Sequence, residues 1–131
     1  MLLDGKGLVK VLREQVVEAS CADINQRVAN SELVLFIDIR ETKETALGSP
    51  FGSSLVPRGV LEMQITNLPK YQDLIKCVPS ASELPIYLIC RSGARSVLAA
   101  ASLQQMGYQH VFSVAGGYLA WQSQGFNITR E

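Results

Sequence analysis

The sequence lacks the charge bias and the long apolar segment that mark several functional classes. Its 12 Lys and Arg residues balance its 12 Asp and Glu residues, so the formal net charge is zero. Nucleic-acid-binding domains usually carry a basic excess, and disordered tails carry a charge of one sign. The longest aliphatic runs, residues 33–37 and 86–90, fall far short of the roughly 20 apolar residues that span a bilayer. We therefore expect no nucleic acid and no membrane among the partners.

Cysteine and histidine are also scarce. The three cysteines, Cys21, Cys77 and Cys90, form no CxxC pair and are accompanied by a single histidine. This set predicts neither a disulfide framework nor a Cys/His zinc site. The first residues lack a basic start followed by an apolar stretch, so we predict no secretion signal. We expect reduced thiols, a cytoplasmic location and no bound metal.

What the chain does contain is the pattern of one α/β domain. It has 131 residues, of which 47% are hydrophobic, a usual size and composition for a single globular domain. Continuous β-prone apolar runs are typical of strands buried in a parallel sheet, and here they predict strands at 33–37, 86–89 and 110–114. Helical spacing and cap residues predict helices within 1–20 and at 23–29, 60–66, 70–76, 94–106 and 118–123. The Gly- and Pro-rich segment 48–59 predicts a long loop. Strands that alternate with helices in this way predict a mostly parallel central sheet.

The residues with chemical potential lie where two of these strands end. Sites in parallel sheets form beyond the carboxyl ends of strands, and both Asp38 and Cys90 are placed there. The second strand is followed by Cys90-Arg91-Ser92-Gly93-Ala94-Arg95-Ser96. A cysteine reacts as the thiolate, and its usual pKa is about 8.5. Unpaired N–H groups at a helix start and in a glycine turn can hold that anion, so Cys90 is predicted to be a nucleophile. The same turn can also bind a phosphate passively.

The Cys90 loop resembles the active-site loop of the rhodanese family of sulfurtransferases. Three other segments resemble motifs of that family: Asp38-Ile39-Arg40-Glu41, Pro57-Arg58-Gly59-Val60-Leu61-Glu62 and Val114-Ala115-Gly116-Gly117-Tyr118-Leu119-Ala120-Trp121. The match extends over residues 33–126. Residues 52–57 depart from the family's G-H-I-P-G-A pattern, which forms part of the pocket wall.

The resemblance implies a single rhodanese-like domain over residues 1–131. The expected fold has a mostly parallel central sheet flanked by helices on both faces, with residues 1–20 as an additional N-terminal helical extension. The implied activity is that of a thiosulfate sulfurtransferase. It moves a sulfane sulfur from a small anionic donor such as thiosulfate to cyanide, a thiol or a protein, through a persulfide on Cys90. The resemblance implies no metal and no organic cofactor.

Roles for individual residues follow from the resemblance and from their positions at strand ends. Cys90 is the expected nucleophile. The anion is expected to lie against the backbone amides of Arg91, Ser92, Gly93, Ala94 and Arg95, and Arg95 is expected to brace the loop from behind. Arg91 and Arg58 are expected to attract the donor, whereas Asp38 and Arg40 are expected to orient the loop through charged hydrogen bonds.

Other side chains are expected to be structural. Trp121 is predicted to pack in the core against the active-site helix. Cys21 and Cys77 are expected to be passive, with Cys77 a resolving thiol if the fold brings it near Cys90.

Two alternative functions remain open at this point. One is a non-catalytic rhodanese-like module for binding or regulation, although the presence of Cys90 argues against it. The other is a phosphatase or arsenate reductase that uses a Cys and an Arg around an anion. Those enzymes place five residues between Cys and Arg, whereas four separate Cys90 from Arg95. The smaller ring suits a sulfur-sized group better than a phosphoryl group.

Overall fold

The core of the molecule is a parallel sheet, seen in a computed structural model that describes residues 1–130. Within those residues, five strands pair in the order β1-β6-β5-β2-β4, all parallel. Their bounds are β1 (Val17–Ala19), β2 (Leu35–Asp38), β4 (Ser54–Leu55), β5 (Ile86–Ile89) and β6 (Val111–Val114). The two central strands, β2 and β5, are buried along their whole length, because helices cover both faces. A separate antiparallel pair joins β3 (Ser49–Pro50) to β7 (Ile128–Thr129).

Seven α-helices lie in the described part of the chain. They are α1 (Gly5–Arg13), α2 (Cys21–Ala29), α3 (Thr42–Thr45), α4 (Leu61–Gln64), α5 (Pro69–Leu74), α6 (Ala94–Gln105) and α7 (Gly117–Ser123). One face carries α4, α5 and α6, with α1 packed beside them, whereas α2 and α7 cover the other face. None of the helices in residues 1–130 combines the length and apolar character that crossing a membrane requires.

The register of the central strands brings the two sequence-predicted strand ends together. Asp38 at the end of β2 lies opposite Ile89 at the end of β5. Cys90 therefore leaves the sheet directly beside the residues that follow Asp38. Side chains alternate between the two faces along a strand, so Cys90 shares the α6 face with Leu88 and Ile86.

The structure confirms the predicted fold class, a mostly parallel sheet with helices on both faces. The predicted helix at 23–29 begins two residues earlier, at Cys21, because the Ser20 hydroxyl accepts the Asp23 N–H at 3.0 Å and caps it. The interpretation of residues 48–59 as one long loop is incomplete, since β3 and β4 lie within it. Strands of two residues are too short to show an alternating pattern.

The predicted surroundings of Trp121 are wrong. Its side chain is fully buried, but it lies on the sheet face opposite α6. Its ring packs against Phe36 and Phe126, with centroids 5.6 and 5.2 Å away, and its Nε1–H donates to the Asn127 carbonyl at 2.9 Å. Trp121 therefore fixes the C-terminal segment beneath α7 and does not contact the active-site helix.

Candidate active site

The loop that carries Cys90 is a tight turn between a central strand and the longest helix. β5 ends at Ile89, Cys90 follows, and α6 begins at Ala94. Gly93 precedes the helix with φ +109°, a backbone conformation that side-chain-bearing residues rarely adopt. This turn folds residues 91–95 back over Cys90.

The start of α7 holds the loop in place. The N–H groups of Tyr118 and Leu119 donate to the carbonyls of Cys90 and Arg91, at 2.8 and 3.1 Å. Gly117 allows this close approach, because a Cβ there would lie 2.5 Å from both carbonyl oxygens. The N–H groups at the start of α7, which have no partner within the helix, thus donate to the first two carbonyls of the loop.

The Cys90 sulfur lies at the centre of the loop. It accepts the Gly93 N–H at 3.1 Å and the Ser96 N–H at 3.4 Å, and its thiol lies 3.4 Å from Ser96 Oγ. Five backbone amides, those of residues 91–95, were expected to bind the anion, and of these only the Gly93 N–H donates to the Cys90 sulfur. The second N–H donor is Ser96, one residue beyond the expected set. No hydrogen bond from the amides of Arg91, Ser92, Ala94 or Arg95 to this sulfur occurs in the described structure. Two N–H groups aimed at one sulfur stabilise negative charge on it.

The thiol is nearly covered. Only 1% of the Cys90 surface is exposed, whereas Arg91, Ser92 and Ala94 around it are exposed. A reactant must therefore approach through the mouth of the loop.

Arg95 is held by a residue that the sequence analysis did not identify. Its two terminal nitrogens donate to the two carboxylate oxygens of Glu44, at 2.9 and 3.1 Å. The Arg95 hydrogen bonds lower the Glu44 pKa to about 2, against burial, and the same contact raises the Arg95 pKa. Glu44 also accepts the Glu41 N–H, which closes a capping box at α3. The spacing Glu41-x-x-Glu44 is the signal that marks this helix start in the sequence.

Asp38 and Arg40 contact the Cys90 loop only indirectly. Both are buried, and Arg40 donates to the two Asp38 carboxylate oxygens at 2.8–3.1 Å and to the Gly48 carbonyl at 2.7 Å. In the described structure neither side chain hydrogen-bonds to residues 90–95, so the expected charged contacts to the loop are absent there. The Arg40 guanidinium instead lies 3.7 Å from the centre of the Tyr118 ring. It supports Tyr118, whose N–H holds the Cys90 carbonyl.

The two arginines expected to attract the donor have different surroundings. Arg91 is exposed, and no ion pair or hydrogen bond of its side chain occurs within residues 1–130. It lines a cavity of about 220 Å³ beside the loop, together with Arg40, Glu44 and Tyr118. Arg58 is hydrogen-bonded to Glu62 at 2.9–3.0 Å, and Glu62 also accepts from Ser102 at 2.6 Å. The Arg58 side chain is thus paired with Glu62, and in the described structure it makes no hydrogen bond to residues 90–95.

The other two cysteines are poorly placed to assist Cys90. Cys21 is buried and points at the carbonyls of Ala115 and Gly117, and burial raises its pKa. Cys77 is exposed. It adjoins Val78, which lines a cavity with Pro85 and His110 where β5 and β6 begin, at the end of the sheet opposite Cys90. No cluster of three or more potential metal ligands occurs among residues 1–130.

Known proteins share both this sequence pattern and this fold. The family model for the rhodanese-like domain matches residues 20–124. A sulfurtransferase of Allochromatium vinosum is 34% identical over 113 residues, which cover 86% of this chain and 94% of that protein. A Rhodopseudomonas palustris structure, described as a protein of unknown function and possible tyrosine phosphatase, is 26% identical; the match has a TM-score of 0.80 and covers 98% of this chain and 96% of that one.

A more distant structure shares the fold alone. It is the polysulfide-sulfur transferase homodimer of Wolinella succinogenes, with 23% identity and a TM-score of 0.74 over 96% of this chain and 87% of that one. The family match covers four-fifths of the chain and includes the Cys90 loop with the strands and helices that position it. The chain therefore belongs to the rhodanese-like domain family.

Proposed function

We propose that the protein is a sulfurtransferase in which Cys90 carries the transferred sulfur as a persulfide, with thiosulfate as a donor. The observation that carries the proposal is the position of the Cys90 sulfur, which accepts N–H groups from Gly93 and Ser96 at the centre of the loop. Membership of the rhodanese-like family and the similarity to a sulfurtransferase support the same chemistry. Residues 1–131 act as one domain in this proposal. Of the expected helical extension over residues 1–20, only Gly5–Arg13 is a helix, and Val17–Ala19 instead form strand β1 of the central sheet.

The first half of the reaction loads the enzyme. The Cys90 thiolate attacks the outer sulfur of thiosulfate and forms a new S–S bond. The bond between the outer and the sulfonate sulfur breaks, and sulfite leaves with its electron pair. Cys90 is left as a persulfide anion, and the N–H groups of the loop stabilise its charge.

The second half returns the enzyme to its starting state. A nucleophilic acceptor, cyanide in an assay and a thiol or protein thiol in the cell, attacks the outer sulfur of the persulfide. The acceptor keeps that sulfur, and Cys90 leaves as the thiolate. No metal or organic cofactor takes part in either step. The three unpaired cysteines fit a reducing, cytoplasmic setting.

Charge around the loop favours an anionic donor. Arg91 has an exposed side chain at the loop mouth, where its positive charge is available to a sulfonate. Arg58 is assigned a smaller part in attracting the donor, because Glu62 already neutralises it. Asp38 and Arg40 orient the loop indirectly, through the Tyr118 ring.

The occupied guanidinium of Arg95 argues against phosphatase chemistry. A phosphatase needs its loop arginine to bind the phosphoryl oxygens with two parallel hydrogen bonds. In this structure both terminal nitrogens of Arg95 are bonded to Glu44. The loop is also one residue shorter than in those enzymes, which leaves room for sulfur rather than for phosphate.

The proposal is tested by measuring turnover with thiosulfate and cyanide alongside hydrolysis of an aryl phosphate. We expect thiocyanate and sulfite in equal amounts, and no phosphate release above the uncatalysed rate. Cys90→Ser abolishes the activity, whereas Cys77→Ser retains it. Phosphate release without sulfur transfer contradicts the proposal, and inactivity with every sulfane donor favours the non-catalytic module.

A further inference from the structure

A single hydroxyl interrupts the apolar strand next to Cys90. Ser113 lies in β6, whose sequence is Val-Phe-Ser-Val, and it pairs in register with Leu88 on β5. Its side chain is completely buried on the face covered by α6. Burying a hydroxyl costs free energy unless it finds a hydrogen-bond partner. Its partner in the structure is the Ser96 hydroxyl, 2.7 Å away.

Counting protons fixes the direction of this hydrogen bond. A serine hydroxyl has one proton to donate and can accept two hydrogen bonds. The Ser113 proton has one acceptor within reach in the described structure, Ser96 Oγ. The Ser96 proton has a choice, since Ser96 Oγ lies 3.2 Å from the Gly93 carbonyl and 3.4 Å from the Cys90 sulfur. Both buried hydroxyls are satisfied only when Ser113 donates to Ser96.

We infer that Ser113 is a positioning residue for the nucleophile, which acts on Cys90 through Ser96. While Cys90 is a thiol, its S–H donates to Ser96 Oγ, and the Ser96 proton goes to the Gly93 carbonyl. When the thiol ionises, the Ser96 hydroxyl turns to donate to the sulfur. Ser113 keeps one Ser96 lone pair occupied in both states and leaves the Ser96 proton available to the anion. The inference rests on the proposed function only for its effect on turnover.

The hydrogen-bonded series Ser113, Ser96 and Cys90 predicts that loss of the Ser96 hydroxyl destabilises the Cys90 thiolate more than loss of the Ser113 hydroxyl does. Removing the Ser96 hydroxyl deletes a direct hydrogen bond to the anion. Removing the Ser113 hydroxyl deletes the bond that polarises and orients Ser96. Because Ser113 acts through Ser96, the two deletions are not additive.

The test measures the ultraviolet absorbance of the Cys90 thiolate as a function of pH, a signal that needs neither donor nor acceptor. The difference between each protein and its Cys90→Ser counterpart removes the signals of Cys21 and Cys77. We expect Ser113→Ala to move the titration midpoint to higher pH and to lower kcat/KM by about three- to tenfold. Ser96→Ala gives a larger shift, and the double variant titrates like Ser96→Ala alone.

Tyr71→Phe is the matched control. The hydroxyls of Tyr71 and Tyr108 form another buried pair, 2.9 Å apart, which joins α5 to the segment after α6. Like Ser113→Ala, this variant loses one hydroxyl of a buried hydrogen-bonded pair. It is expected to leave the thiolate titration unchanged.

The inference is overturned if the Cys90 thiolate of Ser113→Ala titrates at the same pH as that of the wild type while the variant loses as much stability as Tyr71→Phe. The Ser96–Ser113 hydrogen bond would then contribute to packing only. A double variant that shifts further than Ser96→Ala also overturns it. If the thiolate shifts but no protein variant transfers sulfur, the proposed function fails and the inference about Ser113 stands.

Discussion

Replacing Glu44 with glutamine removes the charge that holds Arg95 behind the loop while keeping the shape of the side chain. The lowering of the Glu44 pKa from 4.5 to about 2 sets a ceiling of about 3 kcal/mol on the stabilisation from that charge. The two side chains keep 24% and 35% of their surfaces exposed, and water screens the pair. We therefore expect Glu44→Gln to lower the free energy of unfolding at pH 7 by about 1–2 kcal/mol.

The pH dependence distinguishes this charge from a packing effect. A carboxylate with a lowered pKa stabilises the fold fully above pH 4.5, and this contribution is lost as the pH falls through about 2. Urea denaturation between pH 7 and pH 3 should therefore show a difference between wild type and Glu44→Gln that narrows toward low pH. Glu32→Gln, which breaks the exposed pair with Arg27, is the control for removal of a surface charge.

The same variant tests whether the pair matters to the loop. We expect kcat/KM for sulfur transfer to fall about tenfold in Glu44→Gln, because small displacements of a reacting group are costly. Glu32→Gln should retain wild-type turnover. A stability difference that is constant from pH 7 to pH 3, or unchanged turnover in Glu44→Gln, would refute this reasoning.

Two further predictions concern the loop contact with α7 and the charge at the loop mouth. Gly117→Ala should lower the free energy of unfolding by about 3 kcal/mol and abolish turnover, because its Cβ would lie 2.5 Å from the loop carbonyls. Gly59→Ala is the control, since its Cβ would meet no atom within 4 Å. Denaturation and rate assays should show stability and turnover unchanged in that control. Arg91→Ala should raise the KM for thiosulfate by roughly three- to tenfold, and the rise should be smaller at high salt. Arg58→Ala should raise this KM less than Arg91→Ala does. An equal rise in both variants contradicts the larger role given to Arg91 in attracting the donor.

The central strands and the nucleophile were predictable because their signals are local. β2 and β5 are continuous apolar runs, and Cys90 stands immediately after one of them. The Gly93 turn and the helix that follows are equally visible in the sequence. Parallel pairing then places Asp38 and Cys90 at one edge of the sheet by a general rule.

The contacts that brace the site were not predictable, because they join residues far apart in the chain. Glu44 and Arg95 are 51 residues apart, and they meet only because α3 packs beside the start of α6. Ser113 looks like an ordinary strand residue until the register places it beneath Ser96. The face on which Trp121 packs depends on which face of the sheet α7 covers, and the sequence of α7 does not specify that face.

The most direct test of the account is the intact mass of the protein after treatment with thiosulfate and removal of excess reagent. Wild type should gain the mass of one sulfur atom and lose it again on addition of cyanide. A variant lacking Cys21 and Cys77 should behave in the same way, and Cys90→Ser should gain nothing. An unmodified wild type, or a Cys90→Ser protein that still takes up sulfur, would contradict the claim that Cys90 carries the transferred sulfur.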